Sequence, residues 1–300
     1  MRVLVTGASG HIGSAVVAEL LGAGHQVVGL ARSDSSAAVV RSAGAEVHRG
    51  DLDDLDSLGE AAASSDGVVH LAFETLGSEV AESIGTDLRA IDAIGAALEG
   101  SKKPFVSTLP TLTLSFVGGI TDRPGTEDDA MPGGPRVDAE NVVIALAERG
   151  VRSSVVRLPP LVHSTLDRNG LLPQLVGIAR ATGVSGYVAD GANRWPGVHT
   201  LDAARLYRLA LEDAPAGSRL HAIADDGVPF REIADVIARK LSIATASIAP
   251  DDAAEHFSYL APFVALDNPI SSERTRQWLA WQPTHPALIE DLEHGHYFQR

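Results

Sequence analysis

The chain has 300 residues, 45% of them hydrophobic, and a formal net charge of −15 at pH 7. That apolar content supports a large core and excludes a disordered acidic chain, while the negative charge argues against nucleic acid as a partner. The absence of cysteine excludes disulfides, thiolate nucleophiles and thiolate–metal centres.

In chain order, Val3 to Thr6 reads as a first strand. Ile12, Ala15, Val16 and Leu20 then repeat at helical spacing, and Gly24 ends that helix. Gln26 to Leu30, Glu46 to His48, Val68 to Leu71, Phe105 to Ser107 and Ser153 to Leu158 read as further strands. Helical patterns lie around 52–64, 79–99 and 136–149. Alternation of this kind implies parallel strands joined by right-handed crossovers, with helices on both faces. The Gly/Pro/acid-rich stretch 118–135 reads as a mobile loop. After Pro159-Pro160 the rhythm changes. Residues 161–197 read as loop-like, with a helix at 201–213, a short strand at 219–223, and helices near 230–241, 252–260 and 271–281. The fold class expected is α/β, a Rossmann doubly wound parallel sheet (residues 1–160, with a segment near 198–223 returning to it) and a smaller C-terminal substrate-binding lid within 161–300. The opening apolar run is too short for a signal peptide, and no run approaches the roughly 18 apolar residues of a membrane span. A cytoplasmic protein with no membrane partner is the expectation.

Thr6-Gly7-Ala8-Ser9-Gly10-His11-Ile12-Gly13 sits between the first strand and the first helix. Gly7 permits a sharp turn, Gly10 leaves room for a pyrophosphate, and Gly13 allows the helix to pack on the strand. The helix start offers free N–H groups and a positive dipole to phosphates. The position that holds an acid for a ribose 2′-hydroxyl is Ala31 here, followed by Arg32 and Ser33, a pair suited to a 2′-phosphate. NADP(H) is therefore the preferred cofactor, and nearby Asp34 keeps NAD(H) open. Asp51-Leu52 either meets the adenine amino group or caps a helix.

The spacing Thr6-Gly7-x-x-Gly10-x-x-Gly13 resembles the extended short-chain dehydrogenase/reductases, the NAD(P)-dependent epimerase/dehydratase branch. Gly50-Asp51-Leu52 resembles that family's adenine turn, and His70-Leu71-Ala72 its strand end beside the nicotinamide ribose. Val156-Arg157-Leu158-Pro159, the run from Asp190-Gly191 through His199 to Asp202, and Leu279-Ala280-Trp281-Gln282-Pro283 resemble its later segments. The resemblance implies cofactor contacts at Gly7, Ser9, Gly10, His11, Ile12, Gly13, Leu71 and Ala72. It also implies a homodimer through the helices near 79–99 and 136–149.

The resemblance breaks at the acid–base pair. The family carries Tyr-x-x-x-Lys, and no such spacing occurs here; by register Arg136 and Glu140 stand in those places. Thr108 or Thr111 would stand for the family's Ser/Thr, with Pro110 at its usual position. Arg136 and Glu140 share a helix face, either as substrate and ribose contacts or as a surface ion pair. His163 and Tyr187, placed in the lid, are the substitute proton donors, or else packed lid residues. Arg168 either sits in a turn or faces substrate; His294 and His296 read as solvated tail residues rather than metal ligands, and Trp278 and Trp281 as core anchors. These readings imply an NADP(H)-dependent oxidoreductase acting on a small carbonyl or hydroxyl substrate with a non-standard catalytic site. A non-catalytic NAD(P)-sensing regulator and an NAD-dependent epimerase, dehydratase or isomerase are the alternatives.

Overall fold

Short β-branched runs and amphipathic stretches alternate through the first half of the chain. They give β1 (Arg2–Thr6), α1 (His11–Gly22), β2 (Gln26–Ala31), α2 (Asp34–Ser42), β3 (Glu46–Arg49), α3 (Leu55–Ala63), β4 (Gly67–His70), α4 (Val80–Leu98), β5 (Pro104–Pro110), α5 (Leu112–Phe116), α6 (Val137–Ala145) and β6 (Arg152–Leu158). The second half supplies β7 (Leu161–His163), α7 (Leu171–Thr182), β8 (Val184–Val188), β9 (Arg194–His199), α8 (Thr200–Asp213), β10 (Ser218–His221), β11 (Asp225–Pro229), α9 (Phe230–Leu241), β12 (Ala244–Ile248), α10 (Ala253–Phe257), α11 (Ala261–Val264), α12 (Glu273–Leu279) and α13 (Leu288–His294). This computed structural model describes residues 1–73, 80–120 and 122–299; residue 79 of the helical pattern at 79–99 and residue 121 of the 118–135 stretch lie outside the described residues.

Seven strands form one sheet in the order β10-β6-β5-β4-β1-β2-β3, and every neighbouring pair in it is parallel. The order reverses between β1 and β4, which opens a crevice at their carboxyl ends, where ligands of such sheets bind. α1 and α8 cover one face through Val16, Leu20, Ala203 and Tyr207; α3, α4 and α6 cover the other through Leu58, Ile91, Ile94 and Val143. A third core belongs to the C-terminal half, where Trp195 meets the ring of Phe230 edge-on at 5.0 Å. The three-stranded β11-β9-β7 and two-stranded β12-β8 sheets lie in this half.

The sequence reading needs correction in several places. Residues 161–197 are not loop-like: they hold β7, α7, β8 and β9. Pro173 disguised α7, but it lies in the first turn, whose N–H groups have no partner inside the helix, and Leu172, Leu175, Val176 and Ala179 form its buried face. α2 hid behind its serines; Ser33 caps it in a reciprocal bond with Ser36. The helix expected at 252–260 breaks at Ser258, which takes φ +53°. Among its described residues the 118–135 stretch carries no long element, and it is tied down at Glu127, which accepts from the Thr275 N–H (2.8 Å) and hydroxyl (2.7 Å). Trp281 is fully buried, whereas Trp278 is 43% exposed and is no core anchor. His294 is exposed, but His296 is half-buried in the packed C-terminal turn.

Candidate functional site

The loop from β1 to α1 must turn and present its backbone within Gly7 to Gly10. Gly7 adopts φ +66°, and a Cβ there would stand 2.8 Å from the Ala72 nitrogen, so only glycine admits the end of β4. A Cβ on Gly13 would lie 2.0 Å from the Gly7 carbonyl oxygen, which ties α1 tightly to the turn. Gly10 differs: the nearest atom to a Cβ there is the Gly7 oxygen at 3.2 Å, so its missing side chain leaves open space. Gly10 is also the N-cap of α1, and no side chain caps the helix. The first-turn N–H groups of His11, Ile12 and Gly13 therefore lack a capping side chain at the turn that also holds Ser9, an arrangement suited to a pyrophosphate.

At the far end of β2, Ala31 is buried and Arg32 exposed. Ser33 caps α2, and its carbonyl accepts from Arg49 (2.6 Å). Arg49 also pairs with Asp34 at 2.9 Å, so the acid that kept NAD(H) open is already engaged by a cation. Sequence reading missed Arg49 because it arrives from β3. Asp51 accepts from the N–H groups of Asp53 and Asp54, making a turn, while the cap of α3 is Asp54. Leu52 packs against the core.

A buried polar chain crosses from this turn to α6. Thr6 Oγ1 accepts from the Leu71 and Ala72 N–H groups (both 3.1 Å), so its own proton goes to His70 Nδ1 at 2.8 Å. That leaves His70 Nε2 to donate to Asp87 Oδ1 at 3.0 Å. Asp87 Oδ2 accepts from Arg136 Nη1 at 2.5 Å, and Arg136 Nη2 donates to the Thr108 carbonyl at 2.9 Å. The guanidinium lies 3.8 Å from the Phe73 ring centroid. Thr108 Oγ1 donates to the His70 carbonyl and accepts from Tyr207, whose phenol pKa is pushed up by burial. Burial lowers the Arg136 pKa against the opposing pull of Asp87, and a guanidinium stays charged regardless. Arg136 holds a left-handed backbone, φ +68°, which is uncommon for a residue with a side chain. Sequence reading missed Asp87, although an acid on the apolar Ile84–Ile91–Ile94–Leu98 face of α4 is the anomaly that marks it.

The other candidates are placed elsewhere. Glu140 does not share a ligand-facing surface with Arg136. It points into the core, where it pairs with Arg157 (2.5 Å) and Arg219 (2.6 Å), with both members of the first pair sealed from solvent. His221, 3.3 Å from Arg157, has its pKa pushed down to about 3 by burial and by that guanidinium. Thr111 is buried and donates to Asn268 at 3.0 Å, so its hydroxyl is already used. His163 is buried with Nδ1 3.0 Å from Asp291, and its Nε2 has no partner among the described residues. Tyr187 packs in the third core beneath Arg231. Arg168 lies on a groove of about 610 Å³ between α7 and the end of α10.

Sequence reading also missed a histidine cluster between turn and lid. Thr200 Oγ1 donates to the His163 carbonyl and so accepts from Ser164 (2.8 Å) and His11 Nε2 (2.7 Å). Burial pushes the pKa of His11 and of His199 down to about 4 and that of Asp167 up to about 6. His199, Asp202 and His285 bring ligand-type atoms within 4.8 Å of one another. The two rings stack at 4.6 Å and 8°, however, and lone pairs in parallel planes do not meet at one ion. Asp202 instead accepts from the Thr284 and His285 N–H groups and fastens the C-terminal segment to α8.

Residues 3–97 match the NAD dependent epimerase/dehydratase family. An uncharacterized protein of Schizosaccharomyces pombe is 45% identical over 300 residues, covering 99% of this chain and 100% of the relative. The 2-alkyl-3-oxoalkanoate reductase of Stenotrophomonas maltophilia is 30% identical over 247 residues, covering 78% of this chain and 73% of the relative. Among solved structures, the dTDP-glucose 4,6-dehydratase DesIV from Streptomyces venezuelae, with NAD bound, matches with a TM-score of 0.78 at 20% identity, covering 99% of this chain and 96% of that one. Full-length similarity at this level, on a switch-point crevice with this glycine turn, makes the chain a member of the NAD-dependent epimerase/dehydratase family.

Proposed function

We propose that the protein is an NADP(H)-dependent oxidoreductase acting on a small carbonyl or hydroxyl substrate, with Arg136 where the family's tyrosine is expected. The observation that carries this is the uncapped start of α1 above Gly10, beside the β1–β4 crevice. When bound, the nicotinamide supplies hydride chemistry. The N–H groups around Gly10 hold the pyrophosphate, Arg32 and Arg49 meet the 2′-phosphate, Asp51 and Leu52 flank the adenine, and Leu71 and Ala72 line the ribose side. Arg136 donates hydrogen bonds to a substrate oxygen and stabilises negative charge, as a group that does not release its proton. With His163 and Tyr187 packed away, solvent is the proton source. A relative named as an oxoalkanoate reductase supports the carbonyl reading.

Residues 1–160, completed by 198–223, form the cofactor unit in this reading, and the rest of 161–300 forms the lid; α4 and α6 pair two copies into a dimer. The test is calorimetric titration with NADPH and NADH, followed by NADPH oxidation over a carbonyl panel. Loss of binding to both dinucleotides overturns the reading. The buried Arg136–Asp87 pair, unsuited to acid–base transfer, favours a second reading as a dinucleotide-sensing regulator, and tight NADPH binding without turnover selects it. An epimerase or dehydratase would instead retain NAD through purification, visible as cofactor released on denaturation.

A further inference from the structure

We propose that the guanidinium of Arg136 is the seat for a carboxylate, so that the carbonyl substrate is an oxo acid. This rests on the cofactor reading above. The guanidinium touches the Thr108 carbonyl of β5 and the Phe73 ring just past β4, which puts it at the carboxyl ends of the strands, one strand from the crevice between β1 and β4. Asp87 holds Nη1, the Thr108 carbonyl holds Nη2, and Phe73 covers a face. A planar group fixed at both ends and on a face does not swing. These two bonds engage two of the five N–H donors a guanidinium carries, and the side chain keeps 13% of its surface exposed. The remaining donors therefore have a set direction before any ligand arrives, which is the condition for strong recognition.

The chemistry of the group selects the ligand. A guanidinium is always protonated and presents a flat fork that matches a carboxylate with two parallel bonds. A phenol at this position gives and takes one proton; a guanidinium instead gathers negative charge. Asp87 does not follow an incoming anion, because His70 binds its other oxygen and Thr6 binds His70 from behind. The Asp87 charge is thus shared between two donors, and the part of Arg136 that stays exposed is left for a second carboxylate. Glu140 of α6 is turned away toward Arg157 and Arg219 and does not compete.

The test uses full-length protein saturated with NADP⁺, so that an oxo acid binds without turnover. Calorimetry compares 2-oxobutyrate, 4-methyl-2-oxopentanoate and phenylpyruvate with their uncharged amides. At least one acid should bind about ten-fold or more tighter than its amide, the yield of a charge-assisted contact. Arg136→Gln alone strands the buried Asp87, so the second variant pairs Arg136→Gln with Asp87→Asn and keeps the site neutral. That variant should lose the acid-over-amide preference while its NADP⁺ affinity stays unchanged. Equal binding of acids and amides by the native protein, or a preference that survives in the folded double variant, overturns the proposal. Failure of NADP⁺ to bind the native protein is a separate result, which overturns the cofactor reading and this inference with it.

Discussion

Gly10 and Gly13 stand three residues apart in one turn, yet their replacement should fail in different ways. A Cβ at position 13 would sit 2.0 Å from the Gly7 carbonyl oxygen and 2.7 Å from its carbon, where ordinary contact begins near 3.4 Å. Both obstacles are backbone, so no rotamer relieves them. α1 must lift off β1 by about an ångström, which loosens Val16 and Leu20, both fully buried. Small-to-large changes in packed sites cost about 1–3 kcal/mol and sometimes more; a backbone clash belongs at or above the top of that range. At position 10 the one near atom, the Gly7 oxygen at 3.2 Å, has to give by only a few tenths of an ångström, and the rest is open. Gly10→Val should leave the melting temperature within about 2 °C and raise the NADPH dissociation constant by about a hundred-fold, because its methyl groups occupy the pyrophosphate's place. Gly13→Ala should melt well below the native protein. The assays are differential scanning calorimetry and NADPH titration on the same preparations. A folded Gly10→Val protein that binds NADPH as the native does would remove the turn from the site, and a Gly13→Ala protein of native stability would refute the packing argument.

Arg32→Ala and Arg49→Ala should each weaken NADPH by about ten-fold or more and NADH little; equal loss for both dinucleotides in titrations would assign the arginines to something other than the 2′-phosphate. Glu140→Gln should cost about 3–5 kcal/mol, since it leaves the buried Arg157 and the part-buried Arg219 without their shared partner, with NADPH affinity kept; a urea midpoint close to native would contradict this. Because burial holds His11 and His199 near 4, the unfolded chain takes up their protons first as pH falls below 6.5. Stability should drop between about pH 6.5 and 4 by up to about 3 kcal/mol per histidine. Asp167, raised to about 6, works the other way, gaining stability as pH falls from 6 toward 4. His11→Asn should flatten the pH dependence of thermal unfolding, and an unchanged slope would count against the assignment.

The sheet was legible because its signals are local. Val3, Leu4 and Val5 form an uninterrupted apolar run, and the glycines follow at fixed offsets. The lid was less so, since β7 has only three residues and α7 opens with a proline at its third position. At the site, Arg136 was found by register, but the polar chain behind it was not, because Thr6, His70, Asp87 and Thr108 come from four separate elements and meet only across the sheet. Helical spacing also put Arg136 and Glu140 on one face. As the N-cap, with a left-handed backbone, Arg136 lies outside the periodic part of α6, so its side chain departs in another direction. Periodicity describes helix interiors and says nothing of the residue that starts them.

The outermost strand on one side of the large sheet, β10, is supplied by residues 218–221, and α8, which covers α1, by residues 200–213. During synthesis the first 160 residues emerge with β6 as a bare edge and the α1 face uncovered. A parallel strand edge of this kind is a template for pairing with other chains. The nascent polypeptide must therefore wait until the stretch through His221 has left the ribosome before that edge is closed. It waits longer still for Trp281, whose indole N–H donates to the Asp202 carbonyl at 3.0 Å and locks α8 in place. Cutting the gene after residue 160 should thus give aggregates rather than a small independent module, and any attempt to express the first half alone needs residues 198–223 grafted onto it.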